Sequence, residues 1–113
     1  MRSMTGEAQE PLVVFSTAPD PDAAERLALG LVEARLAACV NLLPGATSIY
    51  AWEGRIERAA EVLLVIKTTQ ARWEALQAHL AAHHPYSVPE CVALRPAAVE
   101  ARYLAWLRAE CAP

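Results

Sequence analysis

The sequence has little glycine, few aromatic residues and no excess of positive charge. Its 113 residues include 4 glycines, 6% are aromatic, and 20% are charged, with a net charge of −3. Hydrophobic residues make up 55% of the chain, so it has enough apolar surface to form a folded core and is not a disordered protein. The slight acidic balance argues against a nucleic-acid-binding protein, which usually presents a basic face.

Cysteines are few and scattered, and no apolar run is long enough for a membrane span. Cys39, Cys91 and Cys111 form no CxxC pair, which favours buried thiols in a reducing compartment over a disulfide framework. No stretch approaches the ~20 apolar residues of a membrane helix, and the first ten residues lack the apolar core of a signal peptide. We therefore predict a cytoplasmic protein without membrane contact, with a flexible segment over residues 1–10 and one domain over residues 11–113.

A long β-hairpin over residues 38–69 is the dominant pattern. Two β-rich runs flank Glu53-Gly54, and Gly54 can supply the positive φ that a two-residue turn needs. Pro44-Gly45 interrupts the first arm and predicts a bulge or bend there. Pairing across the turn then sets Ala51 opposite Ile56, Ile49 opposite Arg58, and Thr47 opposite Ala60.

The remaining segments predict two crossovers around this hairpin. Leu12–Thr17 is a central strand, and Asp20 and Pro21 begin a helix that runs to about Ala37. Gly30 inside this helix indicates close packing on the sheet. Thr69 caps a second helix over 70–84, which Pro85 ends; a short edge strand (89–95) and a helix (97–109) follow. This is an α+β, ferredoxin-like βαββαβ sandwich with an extra C-terminal helix.

One face of the predicted sheet has no helix to cover it. Right-handed crossovers place both main helices on the same side. The opposite face would expose Tyr50, Trp52, Leu63 and Val65, an apolar area rare on a soluble monomer. The pattern therefore predicts a homo-oligomer in which copies of the chain cover one another's open faces.

Histidines and charged residues provide the candidate sites. His79 and His83 are four residues apart on a predicted helix, so their rings can share one face and suit Cu(II), Ni(II) or Zn(II). Alternatively, they are partly exposed histidines near the C-terminus of the helix that interact favourably with the negative end of its dipole. Glu61 and Lys67 lie on one face of the second arm; they either form structural ion pairs or line a polar cleft that receives a small ligand.

No enzyme motif is recognisable in the sequence. The P-loop, GxGxxG, HExxH and GxSxG patterns are all absent. Ser16-Thr17 ends a strand, where sites of open sheets often lie, but no Ser-His-Asp arrangement follows from the spacing. We therefore predict a non-enzymatic protein, with an orphan enzyme acting in the same cleft as a remaining alternative.

Five segments of the chain resemble the CutA divalent-cation tolerance proteins. They are STAPD (16–20), ARLAACVNLLPGATSIYAWEG (34–54), IKTT (66–69), HHPYSVPE (83–90) and YLAWL (103–107). The resemblance covers nearly all of residues 12–107 and implies a ferredoxin-like subunit, a tight homotrimer, a cytoplasmic location and a likeness to the PII signalling proteins. It implies no established enzymatic activity.

The resemblance also implies a metal site. The family's copper ligands are a cysteine on the first strand and histidines before the PY turn, which correspond to Ser16, His83 and His84. A hydroxyl is a poorer ligand for soft metals than a thiolate, so we expect only weak binding of Cu(II) or another divalent cation, with His79 or Glu90 as further ligands.

A PII-like signalling or adaptor protein is the alternative function. Such a protein would bind a small anion or metabolite in a cleft between subunits. The residues expected to line that cleft are Tyr50, Trp52, Glu61, Lys67, Tyr86 and Glu90.

Overall fold

A computed structural model describes residues 4–113, with side chains from residue 6 onward. Its elements are α1 (Met4–Ala8), β1 (Pro11–Ala18), α2 (Pro21–Glu33), β2 (Cys39–Trp52), β3 (Arg55–Thr69), a 3₁₀ turn (Gln70–Arg72), α3 (Trp73–His83), β4 (Val92–Leu94) and α4 (Ala101–Glu110). The predicted α+β class is confirmed. Of the segment 1–10 predicted to be flexible, residues 1–3 lie outside the described residues, and residues 4–8 form α1.

The four strands make one antiparallel sheet in the order β2-β3-β1-β4. β1 lies inside the sheet and β4 at its edge, as predicted. β4 is shorter than the predicted 89–95, because only Val92–Leu94 pair with β1. Pro89 and Pro96 flank this short pairing, and proline has no backbone N–H to extend a strand ladder.

The hairpin has the predicted turn and register. Glu53 and Gly54 both adopt positive φ, +50° and +79°, as a type I′ turn requires. Ala51, Ile49 and Thr47 pair with the predicted partners. The register shifts between Leu43 and Ala46, where Gly45 has a φ of +88°, so the bulge is confirmed.

The core lies between the sheet and the two helices that cover one of its faces. Its most buried members are Val14 of β1, Leu64 and Ile66 of β3, Leu31 of α2, and Leu76 and Leu80 of α3. The outer half of the hairpin extends beyond these helices, since the molecule is 49 Å long and 26 Å in its other dimensions. Ile49 and Ile56, on the helix-facing side of that half, are consequently 59% and 71% exposed.

Helix α2 ends earlier than predicted. Asp20 caps it by accepting a 2.8 Å hydrogen bond from Ala23 N, and Pro21 is its first residue. The helix stops at Glu33 instead of Ala37 because Arg35 turns into the left-handed region, at a φ of 60°. Leu36 N and Arg35 N then donate to Leu31 O and Val32 O, the bond pattern of a Schellman motif. Apolar periodicity does not reveal this stop, because glycine is the usual residue there.

The starts of the last two helices also differ from the prediction. Thr69 makes no side-chain capping bond, and the chain forms a 3₁₀ turn before α3. Helix α4 starts at Ala101 instead of Ala97, because the Glu100 side chain accepts hydrogen bonds from Arg102 N and Tyr103 N. Pro85 does end the second helix: His84 is extended, with a ψ of 139°.

Candidate functional site

The bulge in β2 determines which side chains meet Glu61. Leu43 pairs with Leu63 before the bulge, and Ala46 pairs with Glu61 after it. One extra residue on β2 switches the side-chain alternation, since successive residues of a strand point to opposite faces. Ser48, Tyr50 and Trp52 therefore lie on the face that carries Glu61, which is the face without α2 and α3.

Glu61 is a buried carboxylate held by two hydroxyl groups. It is 8% exposed, and its Oε1 and Oε2 accept hydrogen bonds from Ser48 Oγ at 2.5 Å and Tyr86 OH at 2.6 Å. Among residues 6–113, no lysine, arginine or histidine nitrogen lies within 4.0 Å of this carboxylate. Both of its side-chain hydrogen-bond donors are therefore uncharged hydroxyl groups.

His84 joins the loop after α3 to β1. Its Nδ1 accepts a 3.0 Å hydrogen bond from Tyr86 N, so the ring proton is on Nε2, which donates to Thr17 O at 2.7 Å. The His84 and Tyr86 rings also pack together, with centroids 4.9 Å apart. This buried imidazole thus positions Tyr86 over Glu61, and both of its nitrogens are engaged in doing so.

Tyr86 remains a phenol over an unusually wide pH range. Burial raises the pKa of its hydroxyl, and so does the hydrogen bond to the Glu61 carboxylate. The negative charge of Asp20 and the neighbouring Tyr50 act in the same direction. The hydroxyl is therefore a persistent hydrogen-bond donor to Glu61.

Ser48, Glu61 and Tyr86 border a cavity of about 810 Å³. It lies between the outer half of the hairpin and the segment 85–90, with Thr17 at one side. Of the six residues predicted to line a cleft between subunits, five border this cavity within one chain: Tyr50, Trp52, Glu61, Tyr86 and Glu90. The sixth, Lys67, lies elsewhere on β3, where its Nζ donates to Asn41 Oδ1.

Sequence reasoning missed Ser48, which lines this cavity and donates a hydrogen bond to Glu61. Counting from the predicted Glu53-Gly54 turn sets Ser48 opposite Ala59 and therefore places it on the face of Glu61. The end of β1 at Ser16-Thr17 was noted as a possible site position, but no sequence signal indicated that the Thr17 carbonyl meets His84, 67 residues away.

His79 and His83 form a separate pair on α3. Their ring centroids are 4.3 Å apart, which places them on one face as predicted. Burial lowers the pKa of His79, and the adjacent His83 lowers it further. A Cβ atom added at Gly30 would lie 2.8 Å from His79 Nε2. Gly30 therefore packs closely against this imidazole of α3, and the expectation that it packs on the sheet was wrong.

The residues implied as a metal site do not form one open ligand cluster. Ser16 is fully buried on the core side of the sheet, and among the described residues its Oγ finds no hydrogen-bond partner. His84 already uses both nitrogens, while His83 is exposed beside His79. Across the described residues, no group of three or more His, Cys, Asp or Glu side chains is arranged to hold a metal ion.

Comparisons with known proteins agree with one another over most of the chain. The family model of the CutA1 divalent ion tolerance protein matches residues 12–110. The divalent-cation tolerance protein CutA of Pectobacterium atrosepticum is 48% identical over 98 residues, covering 87% of this chain and 89% of the relative. The chain belongs to the CutA1 family.

Solved structures of the CutA1 family have the same fold. The crystal structure of CutA from Xylella fastidiosa superposes with a TM-score of 0.89 at 42% identity, covering 91% of this chain and 99% of that one. The chloroplastic protein CutA of Arabidopsis thaliana is 44% identical over 86% of this chain and 53% of its own length. Within the described part of this CutA1 chain, no helix combines the length and hydrophobicity needed to cross a membrane.

Proposed function

We propose that this CutA1-family chain is a non-enzymatic homotrimer that acts in divalent-cation tolerance and binds Cu(II) or another divalent cation weakly. The names of its relatives support the cation role. The observation that carries the metal-binding part is the His79–His83 pair, whose ring centroids are 4.3 Å apart. Imidazoles are suitable ligands for copper, nickel and zinc.

The geometry favours His79 as the partner of His83 over the implied ligands His84 and Ser16. To bind a metal, His84 would have to release Thr17 O or Tyr86 N, leaving a backbone group unpaired at a cost of about 1–3 kcal/mol. Ser16 is fully buried, so a metal could reach it only after the core opened. A two-imidazole site without a third ligand explains why we expect weak binding.

Exposed apolar side chains support the homotrimer. Leu43, Val92 and Leu94 are each about half exposed, and all three lie on the sheet face opposite α2 and α3. Tyr50 and Trp52 on that face are 45% and 49% exposed, whereas Leu63 and Val65 are partly covered. Burial of this surface between copies would remove it from water; the number three rests on the family resemblance.

The cytoplasmic location is part of the same proposal. It rests on the three free, scattered cysteines, which suit a reducing compartment. The PII-like alternative, a small anion in the cleft, lacks support here, because Lys67 lies outside the cavity.

Calorimetric titration with Cu(II) and Zn(II) tests the metal site. Zn(II) is included because Cu(II) also oxidises thiols, and Cys39 and Cys91 are partly exposed. We expect the wild type to bind both ions and the His79→Ala/His83→Ala variant to lose the binding heat. Gln77→Ala, on the same helix, is the matched control and should bind like the wild type. Equal binding by the wild type and the double-histidine variant would remove the metal site from the proposal.

A further inference from the structure

We propose that the pocket between α2 and α3 binds its metal ion together with a small carboxylate, which Arg26 holds against the metal. This inference rests on the proposed metal site at His79 and His83 and names the ligand that the site lacks. Apart from Pro85, the residues that line the pocket are on α2 and α3, which cover the sheet face opposite the open one. The proposed assembly buries the open face, so it leaves this pocket accessible.

The side chains of α2 and α3 that meet in this pocket are basic or small. Arg26 and Gly30 are one turn apart on α2 and therefore share a face of that helix. A Cβ atom at residue 30 would lie 2.8 Å from His79 Nε2, so the missing side chain leaves space between this nitrogen and α2. The described residues that line the pocket are Ala23, Arg26, Leu27, Gly30, His79, His83 and Pro85.

The charges of the pocket favour an anion beside the metal ion. The described residues that line it include no Asp or Glu, and among residues 6–113 no carboxylate oxygen lies within 4.0 Å of the Arg26 guanidinium. A divalent cation on the two imidazoles would therefore lie near an unneutralised guanidinium, and the two positive charges would repel each other. An anion between them would be attracted to both.

The coordination of the metal also requires a further ligand. Zn(II) usually has four ligands, so two imidazoles leave positions open, and across the described residues no third His, Cys, Asp or Glu side chain joins the pair. Carboxylate oxygens are ordinary zinc ligands, and arginine is the side chain best suited to hold a carboxylate. One carboxylate oxygen can thus bind the metal while the other accepts a hydrogen bond from Arg26.

The size of the pocket restricts the carboxylate to a small one. The pocket volume is about 210 Å³, and a water molecule in the liquid occupies about 30 Å³. The pocket therefore has room for a metal ion and a ligand of a few heavy atoms, such as acetate.

Calorimetric titration with Zn(II) in two sodium salts of equal ionic strength tests this proposal on the intact protein. Sodium acetate supplies the carboxylate, and sodium perchlorate supplies an anion that coordinates metals very poorly. We expect Zn(II) to bind the wild type about fivefold more tightly in acetate than in perchlorate, because each ligand favours binding of the other. Acetate also binds Zn(II) weakly in solution, which affects every variant equally.

Two arginine variants assign the acetate effect to the pocket. Arg26 is exposed, so Arg26→Gln should fold normally. We expect this variant to lose the gain in acetate but to bind Zn(II) in perchlorate at least as tightly as the wild type, because the repulsion is gone. Arg58→Gln removes the same charge from an exposed position on the hairpin, outside the pocket, and should behave like the wild type.

Gly30→Ala tests whether the ions bind on the α2 side of His79. The helical backbone at residue 30 accepts alanine, so the displaced group should be the His79 ring, whose Nε2 would be only 2.8 Å from the new methyl group. We expect Zn(II) affinity to fall in both salts. Wild-type affinity with a full acetate gain in this variant would place the ions elsewhere and overturn the proposal.

The remaining outcomes separate this proposal from the metal site on which it rests. Equal Zn(II) affinity of the wild type in the two salts would overturn the carboxylate while leaving the two-histidine metal site intact. A gain in acetate that persists in Arg26→Gln would overturn the role of Arg26 in the same way. No Zn(II) binding in either salt would instead remove the metal site and, with it, this proposal.

Discussion

The Tyr86 hydroxyl donates a 2.6 Å hydrogen bond to Glu61 Oε2, and this contact joins the loop after α3 to the second arm of the hairpin. The same loop is held to β1 by His84, whose Nε2 donates to Thr17 O. His84 and Tyr86, two residues apart in sequence, therefore fix the segment that closes one wall of the cavity. The Glu61 carboxylate is buried, so the loss of either hydroxyl donor, Ser48 or Tyr86, would leave one of its oxygens without a hydrogen bond.

Replacement of Tyr86 by phenylalanine should destabilise the fold. Tyr86→Phe removes one of the two hydroxyl donors to a buried carboxylate, and we expect a loss of about 1–3 kcal/mol in the free energy of unfolding. Urea unfolding at one fixed protein concentration measures it. Tyr50→Phe is the matched control, because Tyr50 is 45% exposed and makes no side-chain hydrogen bond to Glu61. Equal stability of the two variants would contradict the role given to Tyr86.

Replacement of Ser16 by alanine should stabilise the protein. Ser16 Oγ is fully buried and lacks a hydrogen-bond partner among the described residues, so its removal should raise the free energy of unfolding by about 1 kcal/mol. Thr68→Val provides the opposite case, since the buried Thr68 Oγ1 donates to Leu36 O at 2.7 Å. Thermal unfolding of both variants measures the difference, and destabilisation of Ser16→Ala by a similar amount would show that the serine hydroxyl is satisfied.

Replacement of Arg35 by glycine should destabilise the protein less than replacement by alanine. Its φ of 60° is in the left-handed region, and its guanidinium donates to Ala112 O and Ala109 O, each at 2.7 Å. Both replacements lose these bonds to the end of α4, but only glycine relieves the backbone. We expect Arg35→Gly to be more stable than Arg35→Ala by about 1 kcal/mol in urea unfolding. Identical stabilities would mean that residue 35 has left this conformation.

The pKa of His79 should lie below the ordinary histidine value. Burial lowers the pKa of the His79 imidazole, and the nearby His83 lowers it further. Arg26, another basic residue, lines the same small pocket as the two histidines. The unfolded chain therefore binds more protons as the pH falls through about 6.5, so this histidine makes the fold less stable at acid pH. NMR titration should show the pKa of His79 rising in His83→Gln. No change in that variant would contradict the interaction between the two rings.

The hairpin could be predicted from the sequence because the position of its turn determines how the residues of its two strands pair. With Glu53-Gly54 at the turn, the partner of each residue follows by counting, and Pro44-Gly45 marks the bulge. The end of α2 was missed because Arg35 occupies a left-handed position where glycine is the usual signal. Patterning also did not reveal the start of α4, which depends on a side-chain cap by Glu100.

Sequence patterning grouped five residues of this cavity, but it assigned them to a cleft between subunits and did not reveal their hydrogen bonds. Alternation placed Tyr50, Trp52 and Glu61 on one face, and the loop residues Tyr86 and Glu90 joined them. Lys67 was grouped with them because alternation gives the face of a side chain and not its position along the strand. The bonds that occupy His84 involve a strand 67 residues away, which local patterns cannot show.

Sedimentation velocity at micromolar concentration tests most directly whether copies of this chain cover one another's open sheet faces. We predict a single wild-type species at three times the 12.3 kDa chain mass. Leu94→Lys, which places a charge on the open face, should shift the protein to smaller species. Leu29→Lys, at an exposed position on α2, should not. A stable, soluble single chain of the wild type at that concentration would contradict the proposed assembly.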